Sequence, residues 1–300
     1  MRLNLNLDFM ENTCYVIGGS SQIGSWLVPE LVENGWKIHL VSRGIRTKFE
    51  HGVSTIWHKF DLLNPESKLP PDEARVLFHT YGIQFLPPLL EAFKQRGISR
   101  VIAFSSTSRF TKTSSDNAVD QEVVKNLEMD EQAVIDTCER LGMKWTIFRP
   151  TMIYAGKHGD RNVMDIAQVI NRFGFFPLFG NGKGLRQPVH AADLAKACVL
   201  SCDTEAAFNK SHNLAGGEVL TYKEMVERIF NAMNLKPRFV KTPIWLFELA
   251  VFFVTKHPRY DHITTSMAKR MQQDMTFSTQ DAATDFGYKP RKFVPALSKS

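Results

Sequence analysis

Short continuous apolar runs alternate with helical stripes through the first half of the chain. Tyr15-Val-Ile17 is such a run, the pattern of a strand covered on both faces. Ile23, Leu27 and Leu31 then recur at helical spacing with Trp26 beside them, which predicts a helix over 22–34 closed by Asn34-Gly35 as its C-cap. Pro29 inside it should bend it. Lys37–Arg43 reads as a second strand, 52–60 as a weaker third ending at Asp61-Leu62, and Ala74–His79, Arg100–Phe104 and Trp145–Arg149 as further strands. Helices are predicted over 86–95 and about 119–141. This alternation predicts an α/β fold, a doubly wound parallel sheet with helices on both faces. Ligands bind beyond the carboxyl ends of such strands, so Gly18, Arg43, Asp61, His79, Ser106 and Arg149 should converge on one crevice.

Beyond residue 150 the alternation becomes irregular. A helix over 163–172 is followed by a Gly/Phe/Pro-rich loop over 174–184, the segment Leu185–His190, and a helix from Ala191 to Ser201 that should pack back on the first domain. Thr221-Tyr-Lys-Glu224 is a capping box opening a helix over 222–233. The predicted organisation is a first domain over 1–155, with 185–205 packed on it. A smaller, mainly helical lobe would comprise 156–184 and 206–300. Neither an internal repeat nor a Pro/Gly/Ser linker interrupts the chain.

The turn between the first strand and the first helix carries the strongest chemical signal. In Gly18-Gly-Ser-Ser-Gln-Ile-Gly24, Gly18 stands where the chain must leave the strand sharply, and Gly24 falls in the first helical turn, where a side chain would collide with its surroundings. Ser21 replaces the middle glycine of the G-x-x-G-x-x-G form, and its hydroxyl could bond a phosphate oxygen. A helix N-terminus opened this way offers unpaired N–H groups and a positive dipole end to the pyrophosphate of a dinucleotide. Gly18, Ser20, Ser21, Gln22, Ile23 and Gly24 are therefore the expected cradle. An acidic residue at the tip of the second strand would bind the ribose hydroxyls of NAD. Ser42-Arg43 stands there instead, with Arg46 and Lys48 nearby, and a guanidinium fits a 2′-phosphate, so NADP(H) is favoured over NAD.

Composition narrows the partners. The chain has 300 residues, 43% of them hydrophobic, and a formal net charge of +6 without a polybasic block. That suits an anionic small molecule or a membrane surface, and no aromatic–basic interleaving marks a nucleic-acid binder. Cys14, Cys138, Cys198 and Cys202 fit no zinc spacing and read as small core residues of a reducing compartment. No His/Asp/Glu cluster has ligand spacing in the sequence, so no metal is expected. The N-terminus lacks a continuous apolar h-region, which together with the cysteines predicts a cytoplasmic protein. Ile244–Val254 is the most hydrophobic stretch, about 16 Å long as a helix and too short to span a bilayer. It reads as a buried helix, with peripheral membrane contact through 244–254 as the alternative.

Taken in order, these pieces resemble the extended and atypical short-chain dehydrogenase/reductases, the NAD(P)-dependent epimerase/dehydratase superfamily. The carrying residues are the Gly18–Gly24 turn, Asp61-Leu62, Phe78-His79, Phe104-Ser-Ser106, Arg149-Pro-Thr-Met-Ile-Tyr154 and Gln187-Pro-Val-His-Ala-Ala-Asp193. Asn213-Leu-Ala-Gly-Gly217, Thr221–Glu224 and Phe286-Gly-Tyr-Lys-Pro290 extend the match over nearly the whole chain. The resemblance implies a Rossmann domain with a C-terminal substrate lobe. It implies Asp61 and Leu62 at the adenine, His79 and Thr80 near the ribose, and Arg149, Pro150 and Thr151 near the nicotinamide. Arg186 and His190 would lie on the substrate side, Arg186 toward a substrate diphosphate.

One departure bears on the chemistry. The superfamily uses a Tyr-x-x-x-Lys pair in which the phenol moves the proton and the ammonium lowers its pKa. Between Tyr81 and Tyr154 this chain has no tyrosine; counting from Arg149 and Glu131 puts Val123 and Leu127 at the two positions, and a register shifted by two puts Gln121 and Lys125 there. The remaining candidates for catalysis are Ser106 and Thr107, able to bond a substrate carbonyl, and Lys125 or Lys112 as proton donor. Two functions follow: an NADP(H)-dependent oxidoreductase or epimerase-like enzyme on an anionic substrate, or an NADPH-binding sensor or accessory protein without turnover.

Overall fold

The structure, a computed structural model, describes residues 12–43, 54–62, 64, 69–111, 118–154, 160–242 and 271–296. Its centre is a seven-stranded, all-parallel sheet. Strands β1 (Thr13–Ile17), β2 (Lys37–Ser42), β3 (Thr55–Lys59), β4 (Val76–His79), β5 (Arg100–Phe104), β6 (Lys144–Pro150) and β11 (Lys210–Leu214) lie in the order β11-β6-β5-β4-β1-β2-β3. The order reverses between β1 and β4, which places the crevice of a doubly wound sheet at their carboxyl ends. The Rossmann-like fold expected from the sequence is therefore the fold observed.

Both faces of the sheet are covered because the strands are apolar on both sides; β1, β4 and β5 are buried throughout. On one face, helix α1 (Gly24–Glu33) presents Leu27, Val28 and Leu31 to Leu194 and Cys198 of helix α6 (Ala191–Cys202), over Val16, Ile38 and Phe78. On the other, helix α2 (Pro87–Lys94) and the long helix α4 (Ala118–Arg140) bury Leu90, Phe93, Val134 and Cys138 against Tyr15, Leu77 and Val101. A one-turn helix α3 (Ser108–Thr111) links β5 to α4. Helix α1 continues through Pro29 despite the lost N–H. All four cysteines are buried free thiols.

The remaining core joins helix α5 (Arg161–Phe173) to α7 (Tyr222–Ala232), with Ile166, Ile170, Met225 and Phe230 at its centre. Pairs of short strands brace it: β7 (Ile153–Tyr154) with β10 (Val189–His190), β8 (Phe176–Phe179) with β13 (Phe239–Thr242), and β9 (Leu185–Arg186) with β12 (Leu220–Thr221). Two boundaries differ from the sequence reading. The Gly/Phe/Pro segment contains a strand, β8, because its phenylalanine run pairs with β13. Not all of the described part of 206–300 joins 156–184: β11 is the edge strand of the main sheet, and helix α8 (Gln280–Phe286) and Tyr288 belong to the core that α1 and α6 share. Lys-Ser-His-Asn-Leu is too polar to read as a strand, and an edge position tolerates that polarity.

The described residues include no helix long and apolar enough to cross a membrane. Ile244–Val254, Arg46, Lys48 and Lys112 lie outside the described residues.

Candidate functional site

The glycine turn is built by backbone crowding. Gly18 has φ +84°, a conformation L side chains rarely adopt. A Cβ on Gly24 would sit 2.2 Å from Gly18 O and 2.6 Å from Gly19 Cα, so the collision anticipated from the sequence is with the turn itself. Ser21 corrects a detail of the reading. Its Oγ accepts from Gly24 N at 2.9 Å and pairs with Thr80 Oγ1 at 2.9 Å, so its side chain ties the turn to the β4 tip and caps one helix N–H. Thr80 Oγ1 also bonds Ile17 O and Gly18 O.

A pyrophosphate still fits this cradle. The first N–H groups of a helix have no intrahelical partner, and those of Gln22 and Ile23 donate to no carbonyl among the described residues. The Gln22 side-chain Nε2 is buried without a partner, and the residue lines a cavity of about 510 Å³. That cavity opens where the turn, the tips of β5 and β6, and the second core meet. Its polar wall includes Ser106, Thr107, Thr151, Asn162, Asp165 and Arg186, and its apolar wall includes Met152, Met225, Met271 and Met275.

The expected residues divide into those at the cavity and those that brace it. Ser106 and Thr107 reach it from the end of β5. Ser106 Oγ accepts from Ser108 N at 3.1 Å, while Thr107 Oγ1 donates to the carbonyl of buried Pro150 at 3.0 Å. Thr151 donates its hydroxyl to Gln187 O. Arg186 is buried in the wall, where its Nη1 donates to Leu185 O and Gln273 O and its guanidinium lies 5.3 Å over the Tyr222 ring. Burial pushes the Tyr222 phenol up to about 12, against the opposing effect of Arg186.

Other candidates lie elsewhere. Lys125 is exposed on α4, one residue past buried Val124, and does not line the cavity. His79 is fully buried, its Nε2 donating to Gly82 O at 3.0 Å, and burial lowers its pKa to about 4. His190 caps α6 by accepting from Ala192 N at Nδ1; burial and then Arg291 hold its pKa at about 4. Each ring is thereby a neutral hydrogen-bonder that holds a strand tip. Arg43 is exposed at the end of β2. Asp61 is half-buried beyond β3, and Leu62 packs into the core under α2.

Sequence reasoning missed two features. Glu131, used only as a landmark, is a fully buried carboxylate that accepts from Arg149 Nη2 at 2.6 Å, Ser105 Oγ at 2.5 Å and Arg109 Nη1. Asn162 and Asp165 face the cavity one helical turn apart on α5, a spacing that could have flagged them. The expectation of no ligand cluster is also corrected: His39, His58 and Asp72, far apart in sequence, present ligand atoms within 4.8 Å of one another.

Comparison with known proteins agrees with this geometry. Residues 79–215 match the NAD dependent epimerase/dehydratase family. The mitochondrial NADH dehydrogenase (ubiquinone) 1 alpha subcomplex subunit 9 of Arabidopsis thaliana is 24% identical over 251 residues, which cover 76% of this chain and 60% of that protein. The chain thus spans about 60% of the length of this curated relative. UDP-glucuronic acid 4-epimerase from Bacillus cereus, solved with NAD, superposes with a TM-score of 0.67 at 16% identity, over 93% of each chain. MoeE5, solved with UDP-glucose and NAD, gives 0.68 at 17% identity over 94% of each chain. The family match covers residues 79–215, and the solved structures share this chain's Rossmann-like architecture.

Proposed function

We propose that this chain is an NADP(H)-dependent oxidoreductase or epimerase-like enzyme acting on an anionic small molecule, nucleotide-linked substrates included. The observation that carries the reading is the cavity of about 510 Å³ between the glycine turn and the buried Arg186. A protein that used the nucleotide only as structural filler has no need of a chamber beyond it with a guanidinium in its wall. The N–H groups of Gln22 and Ile23 would hold the pyrophosphate, with Gly24 letting the turn close behind them; Arg43 would hold the 2′-phosphate, Asp61 and Leu62 the adenine side, and Thr151 the nicotinamide side. The bound nicotinamide would supply hydride transfer. Ser106 can donate its hydroxyl proton to a carbonyl oxygen in the cavity while its Oγ continues to accept from Ser108 N. Arg186 would attract the substrate's anionic group. The family resemblance of the cradle and the NAD bound to MoeE5 and to the superposed Bacillus cereus epimerase support a nicotinamide cofactor.

A second reading has its own observation. Val123 and Leu127, which counting along the helix puts at the superfamily's tyrosine and lysine positions, are half-buried apolar residues, and among the described residues the ionisable ones lining the cavity are Asp165, Arg186 and Tyr222. Burial pushes that phenol up to about 12, which makes it a poor general acid at neutral pH. This favours binding without turnover, as in a sensor or an accessory subunit, and the likeness to a respiratory-complex subunit is consistent with it.

Thermal shift separates the cofactors, because a ligand bound only to the native state raises Tm. NADPH should stabilise more than NADH, and Arg43→Glu should reverse the preference by about 10–100-fold in affinity, the worth of one charge-assisted contact. Equal shifts in both proteins would overturn the role of Arg43. NADPH oxidation followed by absorbance against ketones and nucleotide sugars tests turnover. Tight cofactor binding with no oxidation across such a panel would select the second reading.

A further inference from the structure

Away from the cavity, three polar side chains meet on the face of the sheet covered by α2. His39 is in the middle of β2 and His58 near the end of β3. The parallel register pairs His39 with Ile56, so His58, two residues on, is its diagonal neighbour on the same face. Asp72 arrives from the segment that leads into β4, and the Tyr15 hydroxyl fixes it by donating to its main-chain oxygen at 2.8 Å.

The three ligand atoms form a small triangle. His39 Nδ1 and His58 Nε2 share a hydrogen bond of 2.9 Å, whose proton a bound metal would displace, and Asp72 Oδ2 lies 3.8 Å from the first and 3.7 Å from the second. At those lengths the carboxylate hydrogen-bonds neither ring, although it faces both. The point equidistant from three corners with sides of 2.9, 3.7 and 3.8 Å lies about 2.0 Å from each, and zinc binds imidazole nitrogen and carboxylate oxygen at about 2.0–2.2 Å. The Asp72 side chain is 37% exposed, against 17% for His58 and 1% for His39, so an ion could enter, and keep a water, from the Asp72 side.

We propose that His39, His58 and Asp72 form a divalent transition-metal site, with zinc as the best-matched ion, that clamps the β2–β3 edge of the sheet to the segment entering β4. Two imidazoles and a carboxylate select zinc-like ions over magnesium or calcium, which take all-oxygen shells. The site is remote from the glycine turn: Tyr15, the β1 partner of His39, is in mid-strand, on the face opposite α1. Its role is to fix an edge strand. It neither depends on nor supplies the cofactor chemistry.

Zinc uptake by chelator-stripped full-length protein tests this, with cobalt(II) as the spectroscopic probe. The expected result is one zinc per chain, a rise in Tm on loading, and the intense visible bands of a low-coordinate cobalt centre. The chain has nine histidines, so uptake alone does not decide. His58→Ala and Asp72→Asn, both at partly exposed side chains, should each weaken binding at least about tenfold and abolish the cobalt bands. NADPH-induced stabilisation should remain in both variants, which keeps this outcome separate from that of the proposed activity. Equal uptake and equal bands in the variants, or no stoichiometric uptake by the parent protein, would overturn the site.

Discussion

Lowering the pH should destabilise the fold through His79, and His79→Gln should remove that part of the dependence. The imidazole is wholly buried at the β4 tip, donates from Nε2 to Gly82 O, and is driven by burial to a pKa of about 4. In the unfolded chain a histidine titrates near 6.5. Above that pH both states hold a neutral ring, and the contribution to stability is complete. Below it the unfolded chain gains a proton that the native state refuses, so stability falls by about 1.4 kcal/mol per pH unit until the native pKa is reached. Over the interval from 6.5 to about 4 the loss is about 3 kcal/mol. Glutamine can place its amide N–H near the position of Nε2 and does not titrate. Its poorer packing should cost about 1–2 kcal/mol at every pH. Urea midpoints of both proteins from about pH 7 to about pH 4 read the difference directly. The parent should start out more stable and lose that advantage as the pH falls, with the gap changing by about 3 kcal/mol. Parallel profiles would refute a neutral, buried His79 in the native protein.

Two further substitutions probe the braces of the site. Glu131→Ala strands Arg149 and Arg109 beside a cavity and should cost about 3–5 kcal/mol in urea unfolding, with Glu131→Gln intermediate; a loss under about 1 kcal/mol would contradict the buried ion cluster. Gly24→Ala places a methyl 2.2 Å from Gly18 O, which must move the turn; the expected outcome is a loss of about 1–3 kcal/mol together with disappearance of the NADPH-dependent rise in Tm, and an unchanged NADPH shift would count against the cradle.

Features with a period were legible in the sequence. The apolar runs at Tyr15–Ile17 and Arg100–Phe104 announced strands buried on both faces, and the stripe Ile23, Leu27, Leu31 announced the face α1 turns to the sheet. Thr221 and Glu224 form the reciprocal capping bonds their spacing predicts. Features made by register were not legible. Lys210–Leu214 carries polar residues because an edge strand has only one neighbour, so neither period nor hydropathy marks it. His39 and His58 meet only because β2 and β3 pair with Ile56 opposite His39, and a shift of one residue would send His58 to the other face.

The same distinction explains why residue types at the site were easier to name than their roles. Ser21 was singled out by the glycine turn, and His79, Thr80 and His190 by the family resemblance. What the tips also need is for every backbone group in a tight turn to find a partner, and that need takes precedence. Ser21 caps Gly24 N, Thr80 bonds two carbonyls of the β1 end, His79 holds Gly82 O, and His190 caps α6. Arg186 donates to the adjacent Leu185 O, but its guanidinium also meets Gln273 and Tyr222, from distant segments that also wall the cavity. A polar residue spent on the backbone of the strand tips serves the turns there. One held by segments that meet only at a cavity is placed to meet whatever enters it, and Arg186 is therefore the side chain on which substrate charge should be tested first.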